Sequence, residues 1–493
     1  MESNQTTCPE KCRILLIGGG GREHALAWKL LQSSRCETLF TTDHGNGALS
    51  NCTQACPHKW DAKDQFALIR WCEKEEINLV VVGPEVPLAE GITDALSAPG
   101  RFVFGPCRAA AALEADKAFA KSLMKQVAVP TAEGRTFTTA NSARRWILRG
   151  IDRELQGNPL LSEAYDLIGF MQSSDDRGDQ SLPGLSAGIR DLLDKREEPC
   201  VVKATGLAAG KGVIVCRTTG EALDAVETIM CDQTFGAAGE TILIEEMLEG
   251  QEVSVLALVD GKTVWVLDPC QDHKQVGEGD VGPNTGGMGA YCPTPVMTEE
   301  LLEVVEQQVL LPIIDGLKRD DIEYRGVLYA GMMLTAAGPK VLEFNCRFGD
   351  PECQPLMTRL KGDLVELLWA TAAGSLSDAE MDFEDDVACC VVMCSEGYPG
   401  SYEKGQPITG IEEAEASAPG SIKVFHAGTC VDDKGQLVTN GGRVLGVTAR
   451  ASTITKARDL ANAACGHIKF AGAFWREDIG CRVDNDLATS SNS

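Results

Sequence analysis

The sequence has too few basic residues to balance its acidic ones. Lys and Arg number 45 and Asp and Glu number 72 among 493 residues, which leaves a net charge of −27. Such a surface repels phosphate backbones and excludes broad electrostatic binding of nucleic acid. No run of about 18 apolar residues is present, so no membrane span is predicted. Any bound phosphate is therefore held locally, by backbone N–H groups, metal ions or a few lysines.

Export signals and zinc-binding patterns are also missing. Met1–Cys12 is polar, and the 20 cysteines are scattered without paired C-x-x-C clusters or a matching His/Cys pair. We therefore expect free thiols in a reducing, cytoplasmic compartment. A secreted, disulfide-bonded protein is the less favoured alternative.

The composition is typical of a globular protein, with 44% hydrophobic and 24% charged residues, and the length predicts about three domains. Short apolar strands alternate with amphipathic helices over residues 13–115, which predicts an α/β fold with a doubly wound parallel sheet. Gly83–Glu85 follows a predicted strand, at the end where such sheets bind ligands. Residues 150–195 are polar and rich in turns, and are expected to form a surface insertion outside the core.

Two glycine-rich turns are candidate phosphate sites. Gly18–Gly21 lies between a predicted strand and a helix, where unpaired N–H groups suit an anion. A dinucleotide fingerprint would need glycine at position 23, where Glu23 stands. The second turn runs from Lys203 to Gly212 and would fold over a triphosphate, although Gly212 breaks the common P-loop spacing. The structural alternatives are a tight turn and a solvated hairpin.

Carboxylates and a long glycine segment complete the candidate chemistry. Strand alternation puts Glu343 and Asn345 on one face, about 7 Å apart, an oxygen pair suited to Mg²⁺. Arg347 either clamps an anion or forms an ion pair with Asp350. The 277–289 segment is expected to face a substrate, and nearby His273 is more often structural than catalytic. The acidic stretch 244–252 either holds a nucleoside or is an exposed loop.

Together these segments resemble the glycinamide ribonucleotide synthetase family (phosphoribosylamine–glycine ligases) of the ATP-grasp superfamily. The segments that carry the resemblance occur in the family's order and are GGGGREHALAWKL, KATGLAAGKGV, QDHK, GPNTGGMGAY, EFNCRFGDPE and KVFHAGT. The resemblance implies an N-terminal substrate-binding α/β domain at 13–115 and an ATP-grasp domain at 116–375. It also implies a mobile lid over about 130–245, which contains the 150–195 insertion, and a small C-terminal α/β domain at 376–483.

The resemblance also implies roles for individual residues. Arg347 and Lys274 would be catalytic, and Glu343 and Asn345 would hold Mg²⁺, with Mn²⁺ as an alternative. The ATP-binding residues would be Lys117, Lys203, Gly206, Gly210, Lys211, Gly212, Glu245, Glu246, Leu248 and Glu252. The substrate-binding residues would be Gly18, Gly19, Gly20, Gly21, Asn46, Glu85, Asp272, Gly287, Met288, Gly289 and Asp350.

The implied activity joins glycine to 5-phosphoribosylamine with ATP, through glycyl phosphate, in purine biosynthesis. Only these small molecules are expected as partners, and a monomer is expected. Thr205 stands where the family usually has Asp, and His44 where it usually has Pro. Three alternatives stay open: a sibling ATP-grasp enzyme that carboxylates or formylates a purine intermediate, a nicotinamide-dependent oxidoreductase, and a catalytically inactive scaffold.

Overall fold

A computed structural model describes residues 7–173, 185–208 and 211–483. The chain divides into two compact units. Unit 1 comprises residues 1–112, 251–334 and 343–493, and unit 2 comprises 113–250 and 335–342. The three domain ranges predicted above stay predictions.

The N-terminal part of unit 1 alternates strands and helices as predicted. Its elements are β1 (Cys12–Ile17), α1 (Gly21–Leu30), β2 (Cys36–Thr41), α2 (Leu49–Cys52), β3 (Gln54–Ala55), α3 (Phe66–Lys74), β4 (Leu79–Val82), α4 (Glu85–Ala89), α5 (Ile92–Leu96), β5 (Phe102–Phe104) and α6 (Arg108–Ala115).

These strands form a parallel sheet of order β3-β2-β1-β4-β5. All four residues of β4 are buried apolar side chains, as expected for a strand covered on both faces. The strand order reverses between β1 and β4, so the turns that follow these two strands meet at one edge of the sheet. The predicted doubly wound parallel sheet is confirmed.

Unit 2 contains the next group of elements. They are α7 (Lys117–Gln126), β6 (Gly134–Phe137), α8 (Ala140–Ile147), α9 (Ile151–Glu154), α10 (Leu161–Ser173), α11 (Ala187–Lys195), β7 (Cys200–Ala204), β8 (Val213–Cys216), α12 (Thr219–Val226) and β9 (Ile242–Glu246). The strands form an antiparallel sheet of order β6-β9-β7-β8.

The 150–195 segment is not confined to the surface, and that expectation was wrong for its described part. Ile151, Leu167, Met171, Ile189 and Leu193 are all buried in the hydrophobic core of unit 2. They repeat at intervals of three to four residues within short helices, which turns one apolar face inward. The polar residues between them dominate the composition and hid this pattern.

The rest of the chain returns to unit 1 after β9. Its elements are β10 (Gln251–Asp260), β11 (Val264–Val266), β12 (Gln271–Asp272), β13 (Gln275–Gly277), β14 (Val281–Asn284), β15 (Gly289–Cys292), α13 (Glu299–Val305), α14 (Leu311–Arg319), β16 (Arg325–Thr335), β17 (Gly338–Asn345), α15 (Cys353–Arg359), β18 (Leu360–Lys361), α16 (Leu364–Ala373), β19 (Asp382–Phe383), β20 (Val387–Ser395), α17 (Ile411–Ser417), β21 (Ile422–His426), β22 (Thr429–Val431), β23 (Leu437–Thr439), β24 (Arg443–Ala451), α18 (Ile454–Cys465) and β25 (Ala473–Phe474).

Two larger sheets organise this region. One has the order β11-β10-β16-β17, and the other has the order β12-β15-β20-β24-β21 with β25 paired to β20. The second sheet joins strands from both sides of residue 376, where a domain boundary is predicted. Of the helices within the described ranges, none has the length and hydropathy that a membrane crossing requires.

Candidate functional site

The four-glycine turn connects β1 to the start of α1 in unit 1. Gly18 has φ +104°, a conformation that favours glycine. The Gly20 N–H donates to the Glu23 carboxylate at 2.5 Å. That carboxylate also accepts from the Arg22 guanidinium at 2.6 Å, so its charge is balanced within the first turn. The turn is the predicted glycine-rich start of a helix, its Gly20 N–H is bonded to Glu23, and its binding of a phosphate stays a prediction.

The Asn46 side chain ties this turn to the C-terminal part of unit 1. Its amide nitrogen donates to the carbonyls of Gly19 and His426, each at 2.9 Å, and of Ala427 at 3.2 Å. Its amide oxygen accepts from the backbone N–H groups of Ala48 and Leu49. The predicted substrate contact of Asn46 stays a prediction, but the structure gives this side chain a supporting role.

Arg347 lies after β17 and contacts two other predicted site residues. Its guanidinium lies 3.4 Å from the Glu85 carboxylate and donates to the Asn345 amide oxygen at 3.2 Å. Burial acts to raise the pKa of Glu85, but Arg347, a backbone N–H and Arg22 together outweigh burial, and the pKa is lowered. Glu85 is therefore an anion beside a cation at the carboxyl end of β4.

Asp350 forms an ion pair with Arg443, which the sequence reasoning did not single out. The Asp350 carboxylate accepts from Arg443 at 3.0 Å and from the Gln354 amide at 2.8 Å. Burial acts to raise the pKa of Asp350, whereas Arg443 and Arg22 lower it, and the net result is a lowered pKa. Of the two roles considered for Arg347, the structure shows an ion pair with Glu85, and the anion clamp stays a prediction.

Lys274 lies among three carboxylates of unit 1. Its ammonium is 2.8 Å from the Glu252 carboxylate. Burial acts to lower the pKa of Lys274, but Glu252, Asp272 and Glu343 raise it well above its ordinary value. Burial raises the pKa of Asp272 to about 7, with Lys274 opposing the rise and Glu352 and Glu252 adding to it. The predicted catalytic lysine is thus a cation held by acidic neighbours.

Glu343 and Asn345 fit a divalent cation by the chemistry of their donors. They alternate along β17 and so lie on the same face of the strand. Gly331 leaves space beside them, because a Cβ atom there would lie 3.3 Å from the Glu343 Cγ. Within the described residues no three His, Cys, Asp or Glu side chains form a metal-binding group. Two oxygen ligands suit a cation that takes its other ligands from water and nucleotide phosphates.

The unit 2 site is built around one carboxylate between two lysines. Glu245 on β9 lies 2.6 Å from the Lys203 ammonium of β7 and 2.5 Å from the Lys121 ammonium of α7. All three side chains are less than a tenth exposed. Burial lowers the pKa of Lys121, while Glu245 opposes this. Lys121 was missed because a lysine within an amphipathic helix gives no local signal.

The 203–212 turn is held by hydrogen bonds within unit 2. The Thr205 hydroxyl donates to the Thr241 carbonyl at 3.1 Å, a bond that an ionised Asp at this position would lack. Gly206 is required by close approach, since a Cβ atom there would lie 2.7 Å from the Ala238 Cα. Lys117 donates to the Gly206 carbonyl at 3.4 Å. Lys211 is exposed, and Gly210 lies outside the described residues.

The remaining predicted nucleotide residues continue from β9. Glu246 accepts from Lys340 and from the Glu133 N–H, both at 3.0 Å, and Leu248 is half-buried. Glu245 and Glu246 also line a cavity of about 730 Å³ in unit 2, together with Trp146. Glu245 and Glu246 lie at the end of β9, whereas Ala204, which leads into the 203–212 turn, pairs with Ile242 at the start of that strand.

Two residues of the glycine segment and the nearby His273 lie in the core. Met288 is fully buried, and its N–H and C=O both bond within the sheet. Gly289 pairs with Val391 inside the same sheet. His273 is also fully buried, and its Nε2 accepts from the Gly480 N–H at 2.9 Å. His273 is therefore structural, and the structure does not bring the Met288 side chain to the other predicted site residues.

Comparison with known proteins decides the family. The sequence matches models described as Phosphoribosylglycinamide synthetase N domain over residues 12–114, ATP-grasp (A) domain over 186–353 and C domain over 388–482. It is 46% identical to phosphoribosylamine–glycine ligase of Rhodopirellula baltica, across 98% of this chain and 100% of that one. The chain belongs to the phosphoribosylamine–glycine ligase family.

Other members of this family agree in sequence and in structure. A trifunctional purine biosynthetic protein of Gallus gallus is 45% identical across 97% of this chain, which spans 43% of that protein's length. A crystal structure of phosphoribosylamine–glycine ligase from Thermotoga maritima is 26% identical, with a TM-score of 0.68, and covers 95% of this chain and 100% of its own. The predicted family and ATP-grasp fold are therefore confirmed.

The two buried lysines make the stability of this ligase depend on Glu245. Glu245→Gln leaves both ammonium groups without their buried counter-charge, so we expect the free energy of unfolding to fall by about 3–5 kcal/mol. Glu246→Gln is the matched control, because the Glu246 side chain is 42% exposed and its ion pair contributes less than about 1 kcal/mol. Urea unfolding followed by circular dichroism measures the free energy of unfolding of both variants. Equal decreases would contradict the role given to Glu245.

The pKa of Asp272 predicts a pH dependence of stability. That pKa is about 7 in the folded protein, against about 3.9 in an unfolded chain. This carboxyl group makes its full contribution to stability below its pKa in the unfolded chain. The contribution is lost as pH rises through the pKa of the group in the folded protein. We expect the unfolding free energy of the wild type, minus that of Asp272→Asn, to fall between about pH 5 and about pH 8. A difference that stays flat over this pH range would refute the prediction.

Proposed function

We propose that this protein joins glycine to 5-phosphoribosylamine with ATP, releasing glycinamide ribonucleotide, ADP and phosphate, and that glycyl phosphate is the intermediate. The observation that carries the proposal is the match along the whole chain to phosphoribosylamine–glycine ligase of Rhodopirellula baltica. The arrangement of charged residues in each unit supports it. ATP and a divalent cation belong to the ATP-grasp chemistry of the family, and Mg²⁺ as that cation is part of the proposal.

The reaction must first activate a poor acyl donor. A carboxylate oxygen of glycine attacks the γ-phosphorus of ATP, the bond from that phosphorus to the bridging oxygen breaks, and ADP leaves. The amine of phosphoribosylamine then attacks the acyl carbon, the bond to the phosphate oxygen breaks, and the amine releases a proton. The sequence of steps requires no protein nucleophile, so the protein acts by positioning and by charge stabilisation.

Each unit has residues suited to these tasks. In unit 2, Lys203 and Lys117 would neutralise nucleotide phosphates, and the 203–212 turn would offer N–H groups to them. In unit 1, Glu343 and Asn345 would hold the divalent cation, which when bound neutralises phosphate charge. Arg347 would stabilise the negative charge that develops during phosphoryl transfer. These roles follow from side-chain chemistry and from the contacts described above.

The substrate end of the proposal uses the N-terminal sheet. The 5-phosphate of phosphoribosylamine would bind the N–H groups of the Gly18–Gly21 turn at the start of α1. Glu85 and Asp350 are ionised acceptors within the same unit and suit ribose hydroxyl or amine groups. A monomer, a cytoplasmic location and the exclusion of nucleic-acid and membrane partners remain predictions.

The assay that tests this function measures ADP release and the fate of carboxylate oxygen. With ATP, Mg²⁺, freshly made phosphoribosylamine and glycine labelled with ¹⁸O in its carboxylate, we expect ADP release to require glycine. One labelled oxygen should appear in each phosphate, because the activated oxygen leaves with phosphorus. Phosphate without label would reject the glycyl phosphate route. Lack of ADP release with both substrates present would reject the function itself.

The metal role assigned to Glu343 is tested separately. Glu343→Gln removes the anionic ligand, so we expect the Mg²⁺ concentration for half-maximal activity to rise and kcat to fall by about 100-fold. Direct titration of the purified variant with Mn²⁺, read by electron paramagnetic resonance, should show weakened binding without any need for turnover. Glu299→Gln, at an exposed helix position, is the control. Near-normal activity of Glu343→Gln at ordinary Mg²⁺ would contradict the assignment.

A further inference from the structure

One guanidinium group contacts two segments of the unit 1 site that lie far apart in the sequence. Arg443, at the start of β24, donates to the carbonyl of Gly286 at 2.6 Å and to the carbonyl of Asp350 at 2.7 Å. It also donates to the Gly287 carbonyl at 3.4 Å and to the Asp350 carboxylate at 3.0 Å. Arg443 therefore holds the glycine segment and the Asp350 turn in a fixed relation.

The backbone that carries Arg443 is itself anchored on both sides. The Ser395 N–H donates to the Gly442 carbonyl at 2.8 Å, and the Gly428 N–H donates to the Arg443 carbonyl at 2.9 Å. The Gly286 N–H donates to the Tyr398 hydroxyl at 3.1 Å. The guanidinium is thus presented from a constrained strand end, which limits the entropy lost in making its contacts.

The charge of Arg443 matters because of where Asp350 lies. A Cβ atom on Gly20 would lie 3.9 Å from one Asp350 carboxylate oxygen, and one on Gly21 would lie 3.7 Å from the other. The carboxylate is therefore next to the turn that is proposed to bind a phosphate. Without a cation, two negative charges would face each other across this short distance.

We propose that Arg443 is a positioning residue for the phosphoribosylamine side of the reaction. It neutralises Asp350 beside the Gly18–Gly21 turn and fixes the Gly286–Gly287 segment against the Asp350 turn. This inference rests on the proposed function and extends it, because it assigns to the C-terminal part of unit 1 a share in substrate binding that acts through the Asp350 turn.

Arg443→Gln tests the proposal, with Arg450→Gln as the matched control. Both arginines lie on β24, with side chains 21% and 26% exposed, but Arg450 contacts Thr358 and Glu384 instead of the site. For Arg443→Gln we expect the KM for phosphoribosylamine to rise about tenfold or more, because an ionised carboxylate loses its partner. The KM for ATP should stay within about twofold, and Arg450→Gln should retain both constants.

The Asp350→Asn background distinguishes charge neutralisation from a general structural effect. With the carboxylate removed, Arg443→Gln should raise the KM for phosphoribosylamine by a smaller factor than in the wild type. Equal factors in both backgrounds, or an unchanged KM in Arg443→Gln, would overturn the proposal.

Arg443→Lys decides the question if Arg443→Gln does not fold. It keeps the positive charge but cannot reach four acceptors, so we expect an intermediate rise in the KM for phosphoribosylamine. A wild-type KM in that variant would overturn the proposal. A wild-type protein without ligase activity would instead reject the proposed function, so the two failures are distinguishable.

Discussion

Compensation of buried charge is the constraint on which this site depends. A protein with a net charge of −27 gathers carboxylates in its interior, and each needs a cation close by to stay ionised there. Glu245 forms ion pairs with Lys121 and Lys203. Glu252 forms one with Lys274, and Asp350 forms one with Arg443. Each of these basic side chains therefore has a structural role within its own unit.

The secondary structure was largely predictable because its signals are local. The strands Cys200–Ala204 and Val213–Cys216 are short apolar runs on either side of the predicted glycine-rich turn, and this local pattern determines them. Helix α7 begins at Lys117 because Asp116 is its N-cap and accepts from the N–H groups of Ala118 and Phe119. The core helices of the 150–195 segment were missed, since average polarity outweighed their periodicity.

The site was predictable only where a motif repeats the family's order. Glu343, Asn345 and the glycine turns belong to such motifs, and their roles stay predictions. Lys121 and Arg443 form ion pairs with residues more than ninety positions away in the sequence. No local sequence pattern could therefore predict the roles of these two side chains. Met288 shows the opposite error. Its place in a glycine-rich motif predicted a substrate contact, but its side chain is buried in the core.

The sheet that contains β15 and β20 has a consequence for how this protein can be divided. Gly289–Cys292 pairs with Ala388–Val391, so a fragment beginning near residue 376 would leave one side of β20 without its neighbour. That edge carries the run Ala-Cys-Cys-Val-Val-Met-Cys, an apolar stretch prone to aggregation once uncovered. A fragment that keeps this sheet intact therefore needs residues on both sides of position 376.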